Sequence, residues 1–497
     1  MCQSAQFSYV LEYVSGIMWR CQFAAMRHGG IYHAMKPCIA WRMGNMIEMP
    51  LWVLMLLVAF AAVTFASHFL FPSVRWFFRR RMERAVARLN ARLERPIEPF
   101  KLARRHDMIQ RLIYDPDVSR AIADHAKSEG VPENVAFEKA KRYAREIVPG
   151  FSAVAYFSVA IRVAKWLSKA LYRVRLCHFD DATLAKVDRG ATVVFVMNHR
   201  SNMDYMLVTW LAAERSALSY AVGEWARVWP LSRLIKAMGA YFIRRKSRNE
   251  LYRRVLARYV QMATDGGVTQ AVFPEGGLSL DGGLALPKLG ILKYIVEGRD
   301  ATTRDVVFVP VALNYDRVFE DRILVAADQK GQRRFRARIS VVARFILHQL
   351  WLWVRGRYHR HGYAAVSFGA PLSLTEFRAE RPGAKVEELG ELLMERIGQE
   401  IPILPVPLVA HALLENGAMT RTALEKTLSD MVAHVPQAEM HLPCMDMAYC
   451  VEAGLRMLVG RGIVSDRAGR YSIIEDQRPI LAFYAKSIAH LFRGCST

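Results

Sequence analysis

Ala191–Tyr205 reads A-T-V-V-F-V-M-N-H-R-S-N-M-D-Y. Its first residues, Ala191–Met197, form a β-branched run suited to one buried strand and too short for a helix. A polar loop follows at once and carries His199 and Asp204. The same grammar recurs downstream, where Leu218–Val222, Val268–Phe273, Val306–Leu313 and Ala364–Phe368 are further short apolar runs separated by helix-length segments. Strands alternating with helices predict an α/β unit, a central mixed sheet flanked by helices.

Outward from this unit, taken as residues 173–383, the pattern changes on both sides. Residues 384–497 read as mostly helical and close on Gly462–Ile474, G-I-V-S-D-R-A-G-R-Y-S-I-I, a β-hairpin around Asp466–Gly469. Two helices followed by such a hairpin resemble a winged-helix unit. Residues 72–172 are rich in Arg, Ala, Glu and Leu and read as a helical N-terminal domain. Within them Ile147–Leu171 is apolar, with Arg162, Lys165 and Lys169 on a restricted face. That pattern fits an interfacial helix on anionic lipid and equally an amphipathic helix packed on its own domain.

Further upstream, Leu51–Phe71 is apolar except for Thr64, Ser67 and His68. About 20 such residues span a bilayer core, so residues 49–71 are expected to be a transmembrane anchor; the alternative, a buried core helix, would normally show a polar face. Arg75, Arg79, Arg80, Arg81, Arg84 and Arg88 follow, with Trp76, Phe77 and Phe78 among them. Basic flanks stay inside and aromatic residues favour the interface, which puts the body on the cytoplasmic face of the cell (inner) membrane. Residues 1–48 lack periodicity. Met46 or Met49 would make a more ordinary start, so this stretch is expected to be a disordered extension or a misassigned start.

The bulk properties agree. The chain has 497 residues, 53% of them hydrophobic, and a formal charge of +23, which calls for acidic partners such as nucleic acid, an anionic membrane or phosphorylated molecules. The seven cysteines form no C-x-x-C pair, so no metal site or disulfide framework is expected.

Four blocks could carry chemistry. In the first, Val194–Tyr205, Asp204 would hold one imidazole nitrogen of His199 as N–H, leaving the other to take a proton from a hydroxyl. Alone this is weak, because His441 and Asp446 share the spacing; His441 follows no strand and reads as structural. The second, G-A-Y-F-I-R-R-K at Gly239–Lys246, offers Arg244 and Arg245, whose guanidinium forks suit phosphate, although a solvated basic run looks the same. The third, V-F-P-E-G-G-L-S-L-D-G-G at Val272–Gly283, leaves a strand for a glycine-rich turn. There Glu275 could accept hydrogen bonds from hydroxyls or orient an arginine, and Gly276 and Gly277 let backbone N–H groups approach a ligand. The fourth, V-F-V-P-V-A-L-N-Y-D-R-V at Val307–Val318, is a buried strand broken by Pro310, expected near an edge or a bend.

In this order and spacing, N-H-R-S-N-M-D-Y, G-A-Y-F-I-R-R, F-P-E-G-G and V-P-V-A-L-N-Y-D-R-V resemble the four signature blocks of glycerolipid acyltransferases, in the form carried by bacterial glycerol-3-phosphate O-acyltransferases. Weaker likeness extends to Pro405–Leu414 and Phe483–Phe492. The resemblance implies that fold, with His199 as base, Asp204 as its orienting carboxylate, and Arg200, Ser201, Arg244, Arg245, Glu275, Gly276, Gly277 and Lys288 as substrate-binding residues. It departs at one point: the family's third block usually reads E-G-x-R-S-R, and Leu278 and Leu280 stand at the arginine positions. Phosphate recognition then falls on Arg244, Arg245 and Lys288.

The resemblance implies that His199 deprotonates the sn-1 hydroxyl of glycerol 3-phosphate, which attacks the thioester of acyl-CoA or acyl carrier protein directly. Backbone N–H groups at Gly276–Gly277, or near the helix after Asp204, would hold the oxyanion. No metal or cofactor is implied, and the expected partners are the acyl carrier, glycerol 3-phosphate and anionic membrane lipid, without nucleic acid. Lysophosphatidate or dihydroxyacetone phosphate is an alternative acceptor. A different class, a membrane-tethered winged-helix nucleic-acid binder, is favoured by the charge and the hairpin; its would-be reading helix, Ala448–Leu458, has Arg456 as its single basic residue.

Overall fold

The computed structural model describes residues 38–40, 46–48, 50–179, 184, 186–212, 217–223, 231–244, 247, 249–297, 299, 304–331, 361–435 and 446–492. His441, and nearly all of the expected N-terminal extension 1–48, lie outside them. The chain forms two compact units, Met1–Arg88 and Leu89–Thr497. In the first, Cys38–Ala40 pairs antiparallel with Met46–Glu48, and helix α1 (Leu51–Asn90) begins where the apolar run begins. Among the described residues no helix is long and apolar enough to cross a membrane. The expected anchor over 49–71 is thus not seen among the described residues, and the side chains of 66–71 lie outside them. Trp52, Met55 and Phe60, near the start of this helix, are exposed.

The second unit is built on a mixed sheet. Its strands are β1 (Arg173–Phe179), β2 (Thr192–Met197), β3 (Ser219–Gly223), β4 (Tyr241–Ile243), β5 (Gln270–Val272), β6 (Val306–Tyr315), β7 (Tyr363–Phe368) and β8 (Leu372–Ser373). The order is β1-β7-β6-β2-β5-β3-β4, with β8 also on β6. Pairing is parallel except β6 with β7 and with β8. Every residue of β2 and β6 is buried; central strands covered on both faces need continuous apolar runs, and these two have them. Two strands that short apolar runs did not announce, β1 and β4, occupy the edges; β4 lies inside the G-A-Y-F-I-R-R block.

Pro310 corrects an expectation. It sits in an interior strand, opposite Val196 of β2. Its carbonyl accepts from Gly369 N–H at 2.9 Å, and in an extended strand N and C=O of one residue face the same side. The missing donor therefore falls where the partner of β6 changes from β7 to β8, and no ladder bond is lost.

The helices before the sheet include α2 (Arg105–Ile113), α3 (Pro116–Glu129) and α4 (Glu133–Ile147), then a π-turn at Ala155–Ala160 that runs into α5 (Ile161–Leu171). α3 starts on Asp115, whose carboxylate accepts from Asp117 N–H, and stops at Gly130 with φ 63°. α6 (Asp204–Leu211) packs on α5. α7 (Glu250–Asp265) packs on α3 and α4, and α8 (Gly290–Val296) packs on α7.

Beyond the sheet, α9 (Val386–Gln399) leads to α10 (Pro405–Asn416), which is buried from Pro405 to Ala410 and packs on α12 (Met447–Gly460) and α13 (Arg478–Ala485). α11 (Arg421–Ala433), α12 and the sheet of β9 (Met419–Thr420), β10 (Val464–Arg467) and β11 (Arg470–Ile473) form the winged-helix-like part. The hairpin turns through Ala468 (φ 52°) and Gly469 (φ 78°). On α12, Glu452 pairs with Arg421 at 2.8 Å and with Arg456 at 3.6 Å, which neutralises charge that a nucleic-acid reader would present.

This C-terminal part is fastened to the sheet. Tyr484 Oη donates to Asp321 (2.6 Å) and accepts from Val318 N–H (3.1 Å); Val406 N–H donates to Asp316 (2.9 Å); Lys486 reaches Asp281 (3.1 Å). α13 also roofs the glycine-rich turn: a Cβ on Gly282 (φ 90°) would lie 1.8 Å from Phe483 O.

Candidate active site

The first three blocks meet at the carboxyl ends of the parallel strands, the usual place for a site in an open α/β sheet. β2 ends at Met197, and Asn198 continues its pairing by side chain. Asn198 Nδ2 donates to Leu313 O (2.9 Å) and Oδ1 accepts from Leu313 N–H (2.8 Å). The next residue, His199, is thereby held beside β6.

His199 Nδ1 lies 2.9 Å from Asp204 Oδ2. The same oxygen accepts from Arg200 N–H (2.7 Å) and Ser201 N–H (3.0 Å), while Oδ1 accepts from Tyr315 Oη (2.6 Å). Both oxygens of Asp204 act as acceptors, so the imidazole nitrogen facing them, Nδ1, carries the proton and Nε2 is left as the basic nitrogen. The ring stacks on Phe273 (centroids 4.1 Å, 30°) and meets Tyr205 edge-on (5.4 Å, 86°). Asp204 is wholly buried; His199 is nearly so, yet forms part of the wall of a cavity of about 1150 Å³.

The third block closes the site from β5. Glu275 Oε1 accepts His199 N–H (2.9 Å), and Ser279 N–H donates to His199 O (2.9 Å), so the turn and the histidine loop are tied along their backbones. Burial pushes the Glu275 carboxyl up to about 7, against the lowering effects of the His199 bond and of Arg200. Gly276 has φ 65°, and a Cβ there would lie 2.7 Å from Lys288 Cδ; glycine is needed for both reasons. Lys288 Nζ donates to Glu275 O (2.8 Å).

The remaining expected residues divide. Glu275, Gly276, Gly277, Lys288 and Arg244 line the cavity with His199, as do Leu278 and Leu280. Arg244 is already engaged, with Nε and Nη2 donating to the two oxygens of Glu146 of α4 (2.8 and 2.7 Å). Its charge is therefore already paired before any ligand arrives. The N–H of Gly276 donates to Phe273 O (2.9 Å) and is spent on the turn, which removes it as an oxyanion donor. Ser201 Oγ donates to Glu320 (2.9 Å), which also accepts from Asn202 Nδ2 (2.9 Å). That hydroxyl holds the loop instead of facing a ligand. Arg200 turns away: its guanidinium is buried, donates to Gly282 O and lies 4.9 Å over Phe483. Its size lets it pin the glycine-rich turn from below. Arg245 lies outside the described residues.

Sequence reasoning missed Glu146, Tyr315 and Glu320. Tyr315 had a signal, since a tyrosine at the end of a buried strand needs a partner for its hydroxyl. Glu146 and Glu320 had none, because their partners are distant in sequence. No cluster among the described residues could hold a metal ion.

Comparison with known proteins agrees with the geometry. The acyltransferase family model matches residues 179–314, and the model for the glycerol-3-phosphate acyltransferase C-terminal region matches 349–494. Curated relatives named glycerol-3-phosphate acyltransferase include one from Pseudomonas fluorescens (strain Pf0-1), 26% identical over 83% of this chain and 51% of its own length. Another, from Aeromonas hydrophila, is 28% identical over 79% and 50%, and one from Shewanella amazonensis is 29% identical over 82% and 53%. The chain thus spans about half the length of the curated relatives it matches. A solved 1-acyl-sn-glycerophosphate acyltransferase from Thermotoga maritima is 18% identical over 48% of this chain and 77% of that one, at a TM-score of 0.28. The block containing His199 and Asp204 falls inside the first matched region and the helices that roof it inside the second, so the chain carries an acyltransferase domain followed by a region similar to the C-terminal part of glycerol-3-phosphate acyltransferases.

Proposed function

We propose that the chain transfers a fatty acyl group from acyl-CoA or acyl carrier protein to the sn-1 hydroxyl of glycerol 3-phosphate, giving lysophosphatidate. The reading rests on the His199 Nδ1–Asp204 contact of 2.9 Å at the wall of a cavity of about 1150 Å³. His199 Nε2 takes the hydroxyl proton as the oxygen attacks the thioester carbonyl. The C–O bond forms, the tetrahedral intermediate collapses, the C–S bond breaks, and the imidazolium returns its proton to the leaving sulfur. No acyl-enzyme is required. Gly277 N–H is the remaining candidate of the pair for the oxyanion, and Lys288 and Arg244, both on the cavity wall, would bind the acceptor phosphate. We place the catalytic unit on the cytoplasmic face of the cell membrane, because the arginines follow the apolar start of α1.

Leu278 and Leu280 favour a second reading, with lysophosphatidate as acceptor, since they present apolar surface where the family pattern carries arginine. Purified protein given a labelled acyl donor and glycerol 3-phosphate, dihydroxyacetone phosphate or lysophosphatidate in turn decides between them. Acylation of glycerol 3-phosphate, reduced at least ~10²-fold by His199→Ala, is expected. Acylation of lysophosphatidate alone sinks the first reading, and full activity of the alanine variant sinks both.

A further inference from the structure

The π-turn and α5 carry a face that packing on the sheet does not use. Tyr156, Ala160, Ala164, Ser168 and Leu171 are buried against the unit. On the outer side Val154, Val159, Val163 and Trp166 are 49, 51, 49 and 68% exposed. Their spacing runs five, four, three. A residue five places on falls on the far side of an α-helix, whereas the wider i→i+5 turn brings it back. The π-turn thus sets Val154 over Val159 and extends the apolar stripe by one residue. Beside it runs a second exposed stripe, Ser158, Arg162, Lys165 and Lys169. The Nζ atoms of Lys165 and Lys169 lie 5.9 and 5.5 Å from the Trp210 ring on α6.

An apolar stripe bearing tryptophan and flanked by cations is the composition of a helix lying at a headgroup boundary. Protein interfaces, by contrast, are depleted in lysine. We propose that this face seats the catalytic unit on anionic lipid, with Val159, Val163 and Trp166 entering the acyl boundary and Arg162, Lys165 and Lys169 meeting the headgroups. It stands independently of the acyl-transfer reading. Because α5 packs on α6, whose first residue is Asp204, the lipid surface lies one helix away from the catalytic loop.

The full chain is mixed with phosphatidylcholine vesicles containing about a third phosphatidylglycerol, or none, and a trace of photoactivatable lipid; labelled positions are mapped by mass spectrometry. Labelling within Val154–Ala170 is expected on anionic vesicles. It should drop about tenfold or more when Arg162, Lys165 and Lys169 are all changed to Glu, since each cation near such a surface is worth about fivefold. Label in α1 is the internal control and should not change. Trp166→Ala, an exposed truncation that should not disturb folding, is expected to lower the label locally. Labelling of α1 with none in 154–170 overturns the proposal. So does equal labelling on both vesicle types, and so does crosslinking of this face to acidic carrier protein or to a second copy in its place.

Discussion

Tyr315→Phe tests whether the buried hydroxyl behind Asp204 shapes the reactivity of His199. Burial, and then the charge of Asp204, push the Tyr315 phenol well above its ordinary range, so it stays protonated and donates. Asp204 Oδ2 has three donors, whereas Oδ1 has this one among the described residues, at 2.6 Å. A hydrogen bond to a charged group is worth about 1.5–3 kcal/mol, so kcat should fall about ten- to hundredfold if most of that is expressed in the transition state. KM should change little, because Tyr315 is not part of the cavity wall. The assay is steady-state acyl transfer for both proteins, with the Tm measured alongside. Unchanged kcat refutes the argument. A fall in kcat matched by a rise in KM and a lowered Tm reduces Tyr315 to a packing residue.

Glu275→Gln keeps an oxygen for His199 N–H and removes a carboxyl whose folded pKa, about 7, lies above its ordinary 4.5. Such a group stabilises the fold fully below pH 4.5 and loses that contribution as pH rises through 7. The variant should therefore gain stability over the wild type above pH 7, on the order of 3 kcal/mol at most, read from urea midpoints at low and high pH. Lys101 runs the other way. Its Nζ is buried, donates to Ala217 O at 2.5 Å, and burial lowers its pKa from 10.5 to about 7. Below 7 the fold buries a charge, and stability recovers as pH rises from 7 toward 10.5. Lys101→Met should raise the Tm near pH 6 and lose that advantage by pH 10, and an equal effect at both would contradict the assignment. Ala468, at φ 52°, is the one non-glycine residue with positive φ among the described residues. Ala468→Gly should stabilise by about 1 kcal/mol in denaturant unfolding.

What could be read from the sequence was local. His199 and Asp204 sit five residues apart on one loop, so a strand end and a helix start suffice to bring them together. Glu275 and Gly276 were legible because a strand running into glycines fixes the shape of a turn. The long-range contacts were hidden. No periodicity links Arg244 to Glu146 or Ser201 to Glu320, and those carboxylates decide which expected binding groups are already occupied. Pro310 misled for a related reason, because its tolerance depends on where β7 hands over to β8 on the neighbouring side. β1 escaped notice because an edge strand, wetted on one side, does not need an unbroken apolar run, and β4 because Tyr241–Ile243, though apolar and largely buried, is only three residues long.

Fastening of α13 over the glycine-rich turn bears on how the polypeptide can be divided. Severed after residue 383, the catalytic part would lose the ring under Arg200, the hydroxyl on Asp321 and the amide on Asp316, leaving three interior polar groups each short of a partner. Neither half is then a viable product by itself. A protease nick or an early stop in this stretch should yield insoluble material, not a shortened enzyme.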